Sequence, residues 1–376
     1  MATSRQHQIH ERRLQEMVKT MPYYVAEYVD DKLDHRSPST LLNYLHEYKL
    51  FFEWLMAEGI TEARDMKDIP LSTLENLSLE SAQSFFKYVQ RRDISVSKTE
   101  TKKPEKVSVN RKISALRSLF RYLTAQTENE DGEPYFHRNV MQKIEVHKVK
   151  ETLGARANKI SAKILHEDDD LLLLDYVKNQ YINELPEKSR QRSYFLRDKE
   201  RDLAVLSLFL GSGIRVNELV NLRLRDLDFK ENIIHVVRKG GKLDTVAVIP
   251  QSMEDLQQYL SVRKERYNAE EDENSYVFLA KRKGAGVPLS VRAVQMLVKK
   301  YTKAFTKNKS LAPHKLRHTY ATRLMEETND IHLLMRQLGH SSTTTATLYS
   351  NPQQEKAKQA ARMLGDRRKK NTDGEN

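Results

Sequence analysis

The chain has 376 residues with a formal net charge of +12, and 39% of its residues are apolar. This length suits two folded domains better than one, and no apolar run reaches the length of a membrane span. The absence of cysteine excludes disulfides and thiolate metal sites, and with the absence of an apolar signal core it predicts a cytoplasmic protein. The basic excess indicates a polyanion partner, most simply nucleic acid, with a generically basic surface as the alternative.

Helical periodicity dominates the first half of the chain, where apolar residues recur at steps of three and four. Three segments with this spacing predict helices, at residues 39–57, 79–92 and 107–123. The segment before residue 39 also looks helical, and polar residues between about 90 and 107 predict a loop. We therefore predict a helical N-terminal domain over residues 1–148 and a linker at 149–160, where apolar periodicity is weak.

The second half mixes helices with one clear β signal. Residues 201–213 are apolar almost throughout and predict a buried helix, and two β-branched runs around a Lys-Gly-Gly-Lys turn predict a hairpin at 232–250. Apolar periodicity predicts further helices at residues 253–267, 290–306, 313–327, 330–338 and 353–364. The fold class is therefore mainly α, with a small antiparallel sheet in a second domain at 161–365 and a disordered tail at 366–376.

The segment SLAPHKLRHTYATRL combines histidine and arginine at the start of a predicted helix. Pro313 favours the first helical turn, so His314 and Arg317 share a face near the N-terminus, where anions bind. His318 lies on nearly the same face and is a rival to His314. Arginine offers a forked donor to phosphate and histidine offers a second donor. Taken alone, the segment is better explained as a surface helix.

An arginine and a glutamate follow the Gly-Ser-Gly turn that ends the apolar helix. Arg215 and Glu218 are three residues apart, so Glu218 can orient an arginine that holds a phosphate oxygen. In the hairpin, Lys239 and Lys242 flank two glycines, and a lysine there can reach a DNA groove or protonate a leaving oxygen. Spacing alone does not choose between the lysines. A surface ion pair and an exposed hairpin tip are the alternatives.

The stretch LGHSSTTTATLYS places Tyr349 nine residues after His340. A tyrosine hydroxyl can attack phosphorus to form a phosphotyrosine, while arginine and histidine stabilise the charge on the phosphate oxygens. By itself, Tyr349 is one of 17 tyrosines. Basic residues on the predicted helix at 107–123 are candidates for DNA contact, although a solvated face explains them as well. They are Arg111, Lys112, Arg117 and Arg121.

Together these residues carry a family resemblance. Arg215 with Glu218, the hairpin Lys239, the segment HKLRHTYAT, the LGH motif and Tyr349 occur in the order and spacing of tyrosine recombinases, the phage integrase family. The resemblance covers about residues 160–352, and the first half is similar to the helical core-binding domain of the family's Xer type. It implies a core-binding domain and a catalytic domain that clamp around DNA.

The resemblance implies that Tyr349 is the nucleophile and that Lys239 protonates the 5′ leaving oxygen. The position of Lys239 before the glycines matches the family better than that of Lys242, which is left as a candidate DNA contact. The resemblance also implies that the bond energy stays in the phosphotyrosine and that the chemistry needs no cofactor, neither ATP nor a metal. In agreement, the sequence has no Walker loop, HExxH segment or cysteine ligands.

The remaining site residues act on the phosphate, as the resemblance implies. Arg215 and Arg317 bind the scissile phosphate, and Glu218 supports Arg215. His314 assists acid–base transfer or contacts the phosphate, and His340 donates a hydrogen bond to it.

The resemblance also implies partners and a cellular role. In this family four protomers bind two DNA duplexes with inverted half-sites and exchange strands in pairs through a Holliday junction. For this chain it implies a homotetramer whose terminal helix at 353–364 packs on a neighbour. It further implies resolution of chromosome dimers at a dif-like site during cell division, with a DNA translocase as a further expected partner.

Other functions compete with this interpretation. Within the family, the alternative is an integrase of a phage or mobile element, although such enzymes often carry an extra arm-binding domain before the core-binding half. A type IB topoisomerase shares the nucleophile. Outside these enzymes, the alternatives are a non-catalytic sequence-specific DNA-binding protein, which needs no tyrosine at this spacing, and a metal-dependent nuclease, which would need clustered carboxylates.

Overall fold

The computed structural model describes residues 5–95, 101–146, 152, 154–156, 160, 164–166, 168–238, 240–269, 272–306, 311–339 and 363. The chain divides into two compact units, Met1–Lys150 and Glu151–Asn376. Helices predominate in both units and the strands pair antiparallel in small sheets, which confirms the mainly α fold class. No helix within the described ranges is long and apolar enough to cross a lipid bilayer. The functional domain boundaries at 148 and 161 stay predictions.

The first unit consists of helices joined by short connections. The described helices are α1 (Arg5–Val18), α2 (Tyr23–Leu33), α3 (Pro38–Ala57), α4 (Leu71–Glu75), α5 (Leu79–Arg91) and α6 (Lys106–Ala125). Helices α3, α5 and α6 are the three that apolar spacing predicted, within two residues at each end. The prediction of an uninterrupted loop after α5 was wrong, because β1 (Ile94–Ser95) pairs antiparallel with β2 (Thr101–Lys102).

Aromatic side chains fill the core of the first unit. Phe51 of α3 and Phe85 of α5 meet edge to face with ring centroids 4.9 Å apart. Tyr48 of α3 is fully buried, and its hydroxyl donates a hydrogen bond of 3.0 Å to the Ala115 carbonyl of α6. Because a buried hydroxyl needs a partner, this bond fixes how α3 and α6 pack.

Tyr24 of α2 differs from Tyr48, because its buried hydroxyl has no hydrogen-bond partner among the described residues. Burial raises the pKa of Tyr24 well above its ordinary value, so the hydroxyl stays neutral. We expect Tyr24→Phe to leave the free energy of unfolding unchanged or to raise it by about 1 kcal/mol, because it removes an unpaired polar group. Tyr48→Phe should instead lower it by about 1 kcal/mol. Denaturant unfolding of both variants checks this; equal losses would contradict it.

The second unit has seven named α-helices among its described residues. They are α7 (Asp169–Asp175), α8 (Arg190–Ser212), α9 (Val216–Asn221), α10 (Pro250–Tyr267), α11 (Val291–Thr306), α12 (Pro313–Thr328) and α13 (Ile331–Leu338). Ser290 caps α11, since its hydroxyl accepts a hydrogen bond of 3.1 Å from the Ala293 amide. The helix predicted at 353–364 and the tail at 366–376 lie outside the described residues, apart from residue 363.

Helix α8 is longer than the sequence predicted. It begins at Arg190, not at residue 201, because the Ser189 hydroxyl caps a polar first half by accepting from the Arg192 amide at 3.1 Å. Its last turns are buried on all sides. A side chain at Gly211 would place its Cβ only 2.1 Å from the Ser252 hydroxyl of α10, so glycine permits the close crossing of these two helices.

The strands of the second unit form a three-stranded sheet and a separate pair. The sheet has the order β3 (Leu227–Asp228), β4 (Ile233–Val237) and β5 (Leu243–Ala247), and the predicted hairpin is the β4–β5 pair. Strands β6 (Leu279–Arg282) and β7 (Ala285–Pro288) form the other pair. The sequence analysis missed this second hairpin.

Candidate active site

Three helix ends meet around Arg317 of α12. Helix α8 is followed by Gly213 in a left-handed conformation, with φ of +64°, and α13 ends at Leu338. The Arg317 guanidinium donates to the Gly213 carbonyl at 2.6 Å and to the Leu338 carbonyl at 2.5 Å. The side chain is buried. Carbonyls at helix C-termini carry partial negative charge, so they stabilise a buried guanidinium and fix its direction.

Gly213 is required by this packing as well as by its backbone angle. A Cβ at this position would lie 2.4 Å from the Tyr320 ring and 3.0 Å from the Leu338 side chain. A side chain at Gly213 would therefore displace the carbonyl that holds Arg317.

Arg215 is the N-cap of α9 and lies three residues after the end of α8. Its backbone amide donates to Oε2 of Glu218 at 2.7 Å, and its Nη1 donates to Oε1 of the same carboxylate at 2.9 Å. Its Nη2 donates to the Gly339 carbonyl at 3.3 Å. The Arg215 side chain is 40% exposed, whereas that of Glu218 is 4% exposed. A buried carboxylate thus binds an arginine whose guanidinium reaches solvent, while the phosphate-binding role of this pair stays a prediction.

A second arginine, Arg238, shares the Glu218 carboxylate. Arg238 directly follows β4, and its Nη1 donates to Oε2 of Glu218 at 3.0 Å. Its Nε donates to the Asp244 carboxylate of β5 at 2.9 Å, and its Nη2 donates to the Gln337 carbonyl of α13 at 2.9 Å. The residue is only 9% exposed. The three bonds connect α9, the β4–β5 hairpin and the end of α13, the helix end that Arg215 also contacts.

Gln337 completes these connections. Its side-chain amide donates to the Ser212 carbonyl at 3.1 Å and to the Ala247 carbonyl at 2.7 Å, and it accepts from the Ala247 amide at 3.3 Å. The sequence analysis missed both Arg238 and Gln337. A signal was present for Arg238: Ile234 and Val236 face the core, so strand alternation turns residue 238 inward as well.

His314 stands in the first turn of α12 and is exposed. Its ring meets that of His318 edge to face at 5.5 Å between centroids. Desolvation by the surrounding protein lowers the pKa of His314, and the charge of Lys315 lowers the pKa further. The imidazole is therefore neutral at neutral pH and able to accept a proton. The choice between His314 and its rival His318 stays a prediction.

The lowered pKa of His314 predicts a pH dependence of stability. In the unfolded chain the imidazole takes up its proton near the ordinary pKa of 6.5, before the folded protein does. Stability should therefore fall as the pH drops from 6.5 through the folded pKa, and the loss should be complete below it. Comparing the unfolding of the unmodified chain and of His314→Gln between about pH 5 and pH 7.5 tests this. Parallel pH profiles for the two proteins would refute it.

The described structure thus brings together Arg215, Glu218 and Arg317. Both arginines bind consecutive carbonyls at the end of α13. Lys239, His340 and Tyr349 lie outside the described residues, so their roles stay predictions. In the part of the chain that the structure describes, no histidine, aspartate and glutamate side chains cluster to hold a metal ion. The prediction that catalysis needs no cofactor is not tested by this.

The candidate DNA contacts differ in their surroundings. Arg111 and Arg121 of α6 are exposed, as is Lys242 of the hairpin. Lys112 instead donates to the Glu47 carboxylate of α3 at 2.6 Å, with both side chains only 13% exposed. The Arg117 guanidinium binds the carbonyls of residues 141, 142 and 144, where a short helix ends. These contacts hold the first unit together, and a role in DNA binding stays a prediction for all five residues.

Comparison with known proteins identifies the class of this enzyme. Residues 177–356 match the model of the phage integrase family. The chain belongs to this family, the tyrosine recombinases, which cleave and rejoin DNA. It is 41% identical over 353 residues to tyrosine recombinase XerS of Streptococcus gordonii, covering 94% of this chain and 98% of that one. It is 42% identical over 340 residues to XerS of Streptococcus thermophilus, covering 90% and 94%. The chain is thus a site-specific recombinase similar to XerS, which confirms the predicted class of enzyme.

Solved structures of recombinases share the fold. The XerH site-specific recombinase in its pre-cleavage complex with difH substrate has a TM-score of 0.58 at 18% identity, covering 85% of this chain and 78% of that chain. A lambda integrase dimer bound to a COC′ core site has a TM-score of 0.56 at 17% identity, covering 88% and 77%. These similarities establish the recombinase fold for this chain.

Proposed function

We propose that this recombinase cuts DNA with Tyr349 at a phosphate held by Arg215 and Arg317. The observation that carries the proposal is the meeting of the two arginines at the end of α13, one exposed and aimed by a buried carboxylate, the other anchored on helix-end carbonyls. Two guanidinium groups fixed in this way stabilise negative charge that develops on a phosphate without having to reorganise during the reaction.

The proposed steps conserve the phosphodiester bond energy. The Tyr349 hydroxyl attacks phosphorus, and its proton passes to a base, for which neutral His314 is suited. The bond from phosphorus to the 5′ oxygen breaks, and Lys239 protonates that oxygen. His340 donates a hydrogen bond to the phosphate. A 5′-hydroxyl of a second duplex then attacks the phosphotyrosine, which rejoins the strands and releases Tyr349.

The similarity to XerS supports a role in resolving chromosome dimers. We propose that the chain acts in the cytoplasm on double-stranded DNA with inverted half-sites, at a dif-like site, as a homotetramer on two duplexes. The two units would clamp the DNA, the first as a core-binding domain and the second as the catalytic domain. The exposed residues Arg111, Arg121 and Lys242 are the best placed of the candidates to contact DNA. A cell-division DNA translocase is a further proposed partner.

The test uses a nicked suicide duplex that carries candidate sites from the host chromosome terminus, with EDTA present. Loss of the short fragment beyond the nick traps the phosphotyrosine. We expect a protein–DNA adduct on a denaturing gel, mapped to Tyr349 by mass spectrometry. Binding without an adduct would favour a non-catalytic DNA-binding protein, and loss of the adduct in EDTA would favour metal-dependent chemistry. Relaxation of a supercoiled plasmid that lacks the site would favour a topoisomerase.

A further inference from the structure

Arg238 is the more buried of the two arginines that bind the Glu218 carboxylate. Its side chain is 8% exposed, and it binds two carboxylates and one carbonyl on three separate elements. An arginine in such a place needs full pairing, because an unpaired buried charge is strongly unfavourable. Two of its three donors point to groups beside Arg215, namely the Glu218 carboxylate and the end of α13.

The shared Glu218 carboxylate links Arg238 to Arg215. One oxygen, Oε1, accepts from the Arg215 guanidinium, while the other, Oε2, accepts from the Arg238 guanidinium and from the Arg215 amide. Each arginine therefore restricts the rotation of the carboxylate that the other one binds. If Arg238 were lost, Glu218 would keep only Arg215 as a cationic partner in the described contacts, and its rotamer would be less fixed.

Arg238 also holds the helix end that contacts Arg215. It donates to the Gln337 carbonyl at 2.9 Å, and a Cβ at Gly339 would lie 2.7 Å from its Nε. Arg215 donates to the Gly339 carbonyl of the same helix end. A lysine at position 238 would preserve the charge, but one ammonium lacks the planar fork that reaches Glu218, Asp244 and the helix end together.

We propose that Arg238 is a positioning residue, which fixes Glu218 and the end of α13 so that Arg215 is aimed at the scissile phosphate. The inference rests on the proposed function of Arg215 in phosphate binding. Through this contact, Arg238 contributes to stabilisation of the charge on the non-bridging phosphate oxygens and does not itself touch DNA. Displacement of a catalytic group by less than about 1 Å is enough to weaken such stabilisation.

The test compares two suicide duplexes, one with the natural scissile phosphate and one with a methylphosphonate there. The methylphosphonate lacks the negative oxygen that an arginine would neutralise, so a defect in arginine positioning has no consequence on it. We expect Arg238→Lys to cleave the natural duplex about 10- to 100-fold more slowly than the unmodified chain. On the methylphosphonate the two proteins should react equally fast. Arg215→Ala should show the same pattern with a larger loss, about 10²- to 10³-fold.

Two further variants keep this test independent of folding. Glu218→Gln changes the other side of the same contact without changing its shape, and we expect it to reproduce the Arg238→Lys pattern. Arg263→Lys makes the same exchange at another buried arginine, which binds the Val277 and Tyr276 carbonyls. It should affect the two duplexes equally. Thermal unfolding of every variant shows which are folded at the assay temperature.

The remaining outcomes overturn the inference. Equal slowing of Arg238→Lys on both duplexes would mean that Arg238 supports the fold alone, and no slowing would mean that Arg215 is aimed without it. A third duplex has sulfur as the 5′ leaving atom, which needs no proton from the enzyme. If Arg238→Lys cleaved only that duplex as fast as the unmodified chain does, Arg238 would act through Lys239. If the unmodified chain forms no adduct with the natural duplex, the proposed function fails instead.

Discussion

Tyr349→Phe is expected to abolish the covalent protein–DNA adduct while DNA binding is retained. The substitution removes only the hydroxyl oxygen that attacks phosphorus, and no other group can take its place in forming the phosphotyrosine. Loss of a nucleophile lowers an enzymatic rate by about 10⁴-fold or more, so no adduct should be visible on a denaturing gel. A mobility-shift assay with the same duplex measures binding, which should be unchanged.

The control for this prediction is Tyr194→Phe. Tyr194 lies in the polar first half of α8 and is 55% exposed. The Tyr194→Phe variant should therefore form as much adduct as the unmodified chain. Persistence of the adduct in Tyr349→Phe, mapped by mass spectrometry to another tyrosine, would keep the recombinase mechanism but assign the nucleophile differently. Loss of both adduct and binding would mean that the variant is misfolded or that Tyr349 contributes to DNA affinity.

Arg317→Lys should have the second largest effect, a fall in the cleavage rate of about 10²- to 10³-fold. The guanidinium of Arg317 holds the Gly213 and Leu338 carbonyls at the same time, and a single ammonium cannot reproduce that geometry. The variant should also lose about 1–3 kcal/mol of unfolding free energy, because a buried carbonyl is left without its donor. Single-turnover cleavage of the suicide duplex and denaturant unfolding measure the two effects separately.

A second arginine of α12 provides the matched control. Arg323 is partly exposed and pairs with the Asp170 carboxylate of α7 at 2.8 Å. Arg323→Lys keeps this charge pair, so the cleavage rate should be unchanged. The free energy of unfolding should change by no more than about 0.5 kcal/mol. If Arg317→Lys cleaved DNA as fast as Arg323→Lys, the assignment of Arg317 to the phosphate would be wrong.

The helices could be predicted from sequence because their signals are local. Apolar residues at three- and four-residue steps mark α3, α5 and α6 within a few positions, and two β-branched runs around glycines mark the β4–β5 hairpin. The β6–β7 pair was not predicted because its four-residue strands are short and contain lysine, arginine and glycine without alternation. The start of α8 was predicted eleven residues too late because the first half of the helix is polar, although Ser189 caps it.

The site was predictable in part for the same reason. Arg215 and Glu218 are three residues apart, so helical geometry alone brings them together. Two of the three partners of Arg238 lie 20 and 99 residues away in the chain, so only the folded structure brings Glu218 and the Gln337 carbonyl to it. The carbonyls that hold Arg317 are likewise 104 and 21 residues distant. Local patterns give no information about such long-range contacts.

Arg238 is paired with two carboxylates, so it can align Arg215 without adding to the charge that neutralises DNA phosphates. Only basic groups that neutralise DNA phosphates release counterions, so they alone set the slope of log affinity against log salt concentration. Arg238 is balanced by Glu218 and Asp244, and Lys112 is balanced by Glu47. Part of the chain's positive charge is therefore neutralised by carboxylates within the protein. If Arg111 and Arg121 contact DNA as proposed, we expect the salt dependence of DNA affinity to report on these exposed groups and to be insensitive to Arg238.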